Sequence, residues 1–397
     1  MKLLFYKWHS FMNRGIEQAL RELDIEYDTC FFQQRDWEKD EGLSEVLRNK
    51  LKSGDFDAVL SVNFAPIVST VCEELGVRYI SWIYDSPVHI RDFSPMKNSV
   101  NEIYSFDRGE CEAMAELGIE MRHMPLASDI LFASDAEGIT PENKISLVGR
   151  LYQTDYSYMA SPLSDYSRGR LEGIIASQRE VTCAYIIPSL VTEELLADLN
   201  RDFAKASGGN YEIGRRELMF LLAGEVTGRD RLLAAGLLSK RHPLEIYGGE
   251  KDERLTEVSF FPYVDYYEKM PLVFAGSAIN LNITLRTIRT GVPLRVMDVL
   301  ACGGFCITDA GEEVYELFEV GREIETYGSL EELAEKCDYY LSHDTERAAI
   351  ARAGLAAARA RFTFKDRLAR MLLAHYNDIR VKSPSTTASL PAGGGKT

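Results

Sequence analysis

The chain has 397 residues, 46% hydrophobic and 27% charged, an ordinary globular mix long enough for two or three domains at roughly 150 residues each. Lys and Arg total 45 against 61 Asp and Glu, a formal net charge of −16. That argues against a nucleic-acid binder, which needs a basic surface to displace counterions, and against a polybasic membrane anchor; a small anionic ligand would require a local basic pocket.

In chain order, Leu3-Leu4-Phe5-Tyr6 predicts a first strand, and residues 15–23 follow with Ile16, Leu20 and Leu23 at helical spacing. Phe56–Val62 and Arg78–Tyr84 are β-rich runs separated by a helical segment over 66–75. Strands alternating with helices imply parallel βαβ units. The Ser-, Asp-, Gly- and Pro-containing stretch 128–141 is read as a linker between two α/β domains. The pattern restarts at Lys144–Val148, passes through a helical region over 153–240, and returns to strands at Leu244–Tyr247, Val258–Phe261, Ala278–Ile283 and Phe305–Thr308. A helix near 366–379 closes the ordered chain. The last 16 residues are polar and small, and predict a disordered tail.

The cysteines at 30, 72, 111, 183, 302, 306 and 337 form no CxxC pair, which predicts reduced, mostly buried thiols of a cytosolic protein. The six histidines are isolated, without HxxxH or HExxH spacing, so no metal site is expected. MKLLFYKW lacks the apolar core of a signal peptide, and no apolar run reaches membrane-spanning length. The expectation is cytoplasmic, with no nucleic-acid partner and no transmembrane segment.

The most informative stretch is 278–308, AINLNITLRTIRTGVPLRVMDVLACGGFCIT. Ile279, Leu281 and Ile283 alternate with Asn280 and Asn282, so the amides line one face of a strand, either toward a ligand crevice or toward solvent. Thr290-Gly291-Val292-Pro293 opens a helix and Gly303-Gly304 closes it, which places a helix N-terminus near Gly291 as a phosphate site. Arg286, Arg289 and Arg295 lie close by; residues 283–298 hold three Arg and one Asp, a net +2. Asp298 stands three residues after Arg295, a spacing that suits a simple ion pair or a carboxylate for ribose hydroxyls. Residues 311–325 hold six Glu and one Arg, a solvated face whose Glu312 and Glu313 are also placed to meet sugar hydroxyls.

GVPLRVMDVLACGGFCITD with the acidic helix after it, INLNITLRTIRTGVP and KISLVGRLY resemble the C-terminal domain of GT-B glycosyltransferases of the spore-maturation type. WIYDSPVH, SFDRGE and MPLASD resemble its N-terminal partner domain. The resemblance implies an α/β fold of two Rossmann-like domains facing across a cleft. It also implies a nucleotide-sugar donor, as substrate and not cofactor, held mainly by the second domain. Asp298 takes the ribose-holding position, where many relatives carry Glu, and Gly149-Arg150 falls near the diphosphate, with Arg286 and Arg295 as its cations. The resemblance divides the chain into an N-terminal acceptor domain over 1–135 and a C-terminal donor domain over 143–365, with a helical insertion at about 155–240, a C-terminal helix over 366–381 and a tail over 382–397.

An inverting transfer needs a base to deprotonate the acceptor, whereas a retaining enzyme of this fold need not present one. Asp85, in Tyr84-Asp85-Ser86-Pro87, ends a predicted strand and is the first candidate, an Asx-turn before proline being its plainer role. His9 follows the first strand and is the second. The expected activity is metal-independent transfer of a sugar to an unidentified acceptor. An epimerase on the same scaffold and a non-catalytic nucleotide- or sugar-binding module are the alternatives.

Overall fold

The computed structural model describes residues 1–32, 36–128, 138–182 and 184–372. Its first half runs β1 (Lys2–Lys7), α1 (Asn13–Glu22), β2 (Glu26–Phe31), α2 (Glu41–Ser53), β3 (Ala58–Val62), α3 (Pro66–Leu75), β4 (Arg78–Ile83), β5 (Asn101–Ser105), α4 (Arg108–Ala115) and β6 (Arg122–His123). The six strands are parallel, in the order β2-β1-β3-β4-β5-β6. Strand β1 is a continuous apolar run because both of its faces are covered. Leu3 and Phe5 pack with Ile16 and Leu20 of α1, while Leu4 and Tyr6 pack with Leu43 and Leu47 of α2. Strand β2 escapes a search for apolar runs because it is an edge strand, EYDTCF, with Cys30 its one buried residue.

The second half begins at β7 (Glu142–Val148) and continues through α5 (Tyr156–Ala160), α6 (Asp165–Glu180), α7 (Ile187–Leu190), α8 (Glu193–Ser207) and α9 (Arg215–Ser239). Then come β8 (Leu244–Tyr247), β9 (Val258–Phe261), α10 (Met270–Gly276), β10 (Ser277–Asn282), α11 (Leu294–Ala301), β11 (Cys306–Asp309), α12 (Glu312–Leu317) and β12 (Glu325–Tyr327). Helices α13 (Leu330–Ser342), α14 (Asp344–Arg361) and α15 (364–372) complete the described chain. This sheet is also parallel, ordered β12-β11-β10-β7-β8-β9.

Helices α5 to α8 and the first half of α9 bury their own core, with Leu171, Leu195, Leu199 and Leu222 fully inaccessible. Farther along α9, Ala234, Ala235 and Leu238 pack on the second sheet. The inserted helices therefore end inside a helix, not at a loop. Helix α15 crosses back to the first domain, where Phe364 meets Trp82 edge-on at 5.8 Å and Leu368 and Met371 join its core. Residues 129–137 of the expected linker, the expected tail, the end of the expected C-terminal helix and Cys183 lie outside the described residues. The six described cysteines are free and buried, and burial raises the Cys72, Cys111 and Cys337 thiols to about 12.

In each sheet the chain order reverses at one place, between β1 and β3 and between β7 and β10. Ligands of open parallel sheets bind outside the C-terminal strand ends at such switch points. The two sets of strand ends face each other here. Ser86, just past β4, and Thr287, beyond β10, exchange hydrogen bonds, Thr287 Oγ1 donating to Ser86 O at 2.8 Å and Ser86 Oγ to Thr287 O at 3.2 Å.

Candidate active site

On the first domain, the switch point opens into a cavity of about 650 Å³ lined by Trp8, Trp37, Asn63, Asp85 and His89. Asn63 ends β3 in the left-handed region at φ 57, a conformation asparagine tolerates because its short amide bonds locally. Its Oδ1 accepts the Tyr84 N–H at 2.9 Å and its Nδ2 donates to Asp85 Oδ2 at 2.7 Å, so one side chain aims the carboxylate. Burial pushes the Asp85 carboxyl above the usual range, opposed by the Asn63 bond and the nearby His89. The structure does not bring His9 to this site. It lies exposed, edge-on to Phe31 at 5.3 Å, while its neighbour Trp8 turns inward and donates to Val62 O at 2.7 Å.

On the second domain, Gly149 follows β7 at φ +150, and a Cβ on Gly248 would come within 2.1 Å of the Gly149 carbonyl. Only glycine permits that approach of the β7 and β8 ends. Into the gap between β7 and β10 reaches Arg231 of α9, whose guanidinium donates to Arg150 O and Ile283 O. Burial pulls its pKa down, opposed in part by the Asp309 carboxylate, and its hydrogen bonds are to carbonyl oxygens. Arg231 was not among the sequence candidates. The signal lies in Gly228-Arg229-Asp230-Arg231, but the inserted helices conceal that this stretch returns to the strand ends.

Several expected roles change once the neighbours are seen. Asn280 does not line the crevice: it is 1% exposed, donates to Phe274 O and Phe305 O at 3.0 and 3.2 Å, and accepts from Ser146 at 2.8 Å. Asn282 is likewise buried and donates to Thr284 and Thr308. Arg286 is 6% exposed, with Nη1 3.1 Å from Asp309 and Nη2 3.5 Å from Asp230, so two carboxylates already offset its charge. It is a strut between the two carboxylates and not a free phosphate clamp. Arg150 keeps to the mouth, 59% exposed, with Nε donating to Glu250 at 2.9 Å.

Helix α11 starts at Leu294, three residues later than the sequence suggests, with Pro293 as an N-cap that makes no side-chain bond. The N–H groups of Arg289, Thr290 and Gly291 do form an anion-binding concavity, but a carboxylate of the other domain occupies it. Asp107, the N-cap of α4, accepts from Arg289 N at 2.7 Å, Thr290 N at 3.0 Å and Gly291 N at 3.3 Å. Burial pushes the Asp107 carboxyl up in spite of these bonds, with the Glu313 carboxylate adding to the rise. Glu312 and Glu313 serve the same clasp and do not face a sugar site. Glu313, fully buried, accepts from Thr290 Oγ1 at 2.7 Å and Arg108 N at 2.9 Å and sits 2.6 Å from His123; Glu312 pairs with Arg108.

Asp298 is 1% exposed on α11, and its Oδ1 accepts hydroxyl hydrogen bonds from Tyr266 at 2.8 Å and Ser128 at 3.0 Å. Arg295 lies 3.6 Å from its other oxygen, so the ion pair foreseen from spacing is present. Tyr266 in turn stacks on Phe11 of the first domain at 4.7 Å. Arg289 lays its guanidinium 5.5 Å over the Tyr185 ring, between the pocket at the β10 and β11 ends and the interdomain cleft of about 970 Å³. Among the described residues, no group of three His, Cys, Asp or Glu is arranged to hold a metal, and no helix is long and apolar enough to cross a membrane.

Glu110 lines that cleft at 3% exposure, and burial beside Asp107 raises its carboxyl to about 7. Its folded value exceeds its unfolded one, so ionising it costs stability as pH rises from about 4.5 toward 7. Glu110→Gln is expected to flatten this dependence, gaining about 2 kcal/mol relative to wild type at pH 8 over pH 5. Urea unfolding at the two pH values measures it; parallel changes in both proteins would refute the assignment.

Residues 229–373 match the model of a glycosyl transferase-like family. Comparison with curated protein sequences gives no match. Among solved structures, sucrose-phosphate synthase from Thermosynechococcus elongatus superposes with a TM-score of 0.56 at 11% identity, covering 96% of this chain and 100% of its own. A glycosyltransferase from Rickettsia africae gives 0.54 at 11%, covering 96% and 99%. A UDP-forming α,α-trehalose-phosphate synthase from Burkholderia xenovorans gives 0.54 at 14%, covering 95% and 98%. The fold is the GT-B arrangement of two Rossmann-like domains, and the glycosyl transferase-like match falls on the second of them.

Proposed function

We propose that this chain transfers a sugar from a nucleoside diphosphate sugar to an acceptor hydroxyl, in the cleft between the two sets of strand ends. The observation that carries the reading is the pairing of functions across that cleft. A carboxylate aimed by Asn63 stands on one side; on the other stand Arg231 at the switch point, held by carbonyl oxygens, and Arg289 at the cleft, laid over the Tyr185 ring.

In this reading Arg231 and Arg289 take the place of Arg286 beside Arg295 as the cations for the diphosphate, with Gly149 allowing backbone approach and Arg150 adding charge at the mouth. Guanidinium groups stabilise the leaving diphosphate without a resident metal. Asp298 holds the ribose: the hydroxyls of Tyr266 and Ser128 that it now accepts are the groups a ribose would replace. The acceptor oxygen forms the new bond to the anomeric carbon and gives its proton to Asp85. The anomeric carbon–oxygen bond breaks, and the nucleoside diphosphate leaves with the electron pair.

Thermal unfolding with UDP, GDP, dTDP and CMP tests the donor site, UDP first because the trehalose-phosphate synthase neighbour is UDP-forming. Saturation at about 100 times Kd stabilises by about 2.7 kcal/mol, a rise of several degrees in Tm. Arg289→Gln and Arg295→Ala are expected to remove most of that rise while the proteins stay folded. If no nucleotide raises the Tm of the wild type, the donor assignment is wrong.

A further inference from the structure

Between α5, α8, α9 and the segment after β7 lies a cavity of about 1,730 Å³, its open mouth included. It is the largest of the hollows described here, and of its lining only Arg150, at one edge, enters the donor chemistry above. The helices that wall it lie before residue 229, where the match to the glycosyl transferase-like family model begins. We propose that this cavity is the acceptor site and that it takes a neutral glycoside with an apolar aglycone. The proposal deepens the glycosyl-transfer reading and rests on it for the word acceptor.

The lining states the ligand's chemistry. Tyr158 stands 84% exposed at the cavity, and Tyr211 and Phe220 are each 40% exposed. Large aromatic rings gathered in one hollow and left open to water mark a binding surface and not a core. Their faces stack on the C–H faces of sugar rings and on flat or aliphatic groups alike. The charged groups exclude an anionic ligand: Arg150 is the one cation of the lining and is paired with Glu250, while Asp155 and Glu217 are acids.

The position suits an acceptor. Arg150, at one edge of the cavity, directly follows the Gly149 turn where the diphosphate is proposed to lie. Tyr152 is held at φ 58 beneath the Arg231 guanidinium, 4.9 Å from its ring centroid, so the lining is tied to the cation at the switch point. At another edge Phe220 also lines the interdomain cleft and meets His89 edge-on at 5.2 Å; His89 lines the Asp85 cavity. A ligand seated among these rings extends from the proposed donor side toward the proposed base.

Calorimetric titration of the full chain with 4-nitrophenyl β-D-glucopyranoside, octyl β-D-glucopyranoside and glucose 6-phosphate tests this. The neutral glycosides are expected to bind and the phosphate not. Tyr158→Ala and Phe220→Ala, both at solvent-exposed side chains, are expected to raise the glycoside Kd at least tenfold each while the nucleotide-induced rise in Tm stays as in the wild type. Unchanged glycoside affinity in both variants overturns the proposal. So does a wild type that responds to nucleotide but binds neither glycoside, or that prefers glucose 6-phosphate. Glycoside binding that is lost in the variants, in a protein no nucleotide stabilises, supports the cavity and overturns the donor reading instead.

Discussion

Replacing Asp107 with alanine is expected to destabilise the fold by about 3–5 kcal/mol, the largest effect of any single substitution considered in this protein. Its carboxylate, 0% exposed, accepts the N–H groups of Arg289, Thr290 and Gly291 together with the Thr290 hydroxyl at 3.1 Å. Alanine strands these donors where water reaches poorly, and each orphaned buried donor costs about 1–3 kcal/mol. Asp107→Asn keeps an acceptor oxygen and is expected to recover part of the loss. Urea unfolding measures both; a cost below about 1 kcal/mol for alanine would show that the loop is held by something else. The substitution also reports on architecture, because the acceptor belongs to the first domain and the donors to the second. Gly109 sharpens the point: a Cβ there would lie 2.6 Å from Arg289 Cβ, so the two domains touch at the clasp without room for a side chain.

Asp85→Asn is expected to lower turnover by about 10²–10⁴-fold, the usual contribution of a general base, with the nucleotide-induced stabilisation intact. The amide keeps the shape and the Asn63 contact but cannot take a proton. Because burial raises the Asp85 carboxyl, the acid limb of kcat/KM should lie above that of an ordinary aspartate, and activity should be lost as pH falls through it. Asn63→Ala removes the hydrogen bond that opposes the rise, so its acid limb should move to still higher pH. That displacement separates positioning of the base from simple damage to the fold. An Asp85→Asn enzyme with a tenth or more of wild-type turnover would remove Asp85 from the chemistry.

Local regularities made much of the architecture legible. Apolar runs such as Leu3-Leu4-Phe5-Tyr6 and Lys144–Val148, separated by helical periodicity, announce parallel sheets, since strands covered on both faces must be apolar throughout. The strand ends carrying Asp85, Gly149 and Thr284 follow from the same pattern. Strand β2 was not legible, because one buried residue in six leaves no run to find. The inserted helices were visible as helices but not as the boundary of a cavity, which depends on how α5, α8 and α9 pack.

The candidate site divides along the same line. Sequence by itself determined that a net-acidic chain concentrates arginines around residues 283–298, that Arg295 and Asp298 share a helix face, and that Asp85 ends a strand. Only the tertiary structure decided which of those charges are available. Arg286 finds Asp230 and Asp309, 56 and 23 residues away, and is neutralised; Arg231, hidden at the end of an insertion, finds only carbonyl oxygens in its hydrogen bonds and keeps its charge. The amide nest at 289–291 was legible as an anion site, yet the anion comes from Asp107, 182 to 184 residues earlier in the chain. Secondary structure follows the spacing of neighbours along the backbone. The state of a charge follows the field of every group within a few ångströms, and in a folded chain most of those groups are distant in sequence.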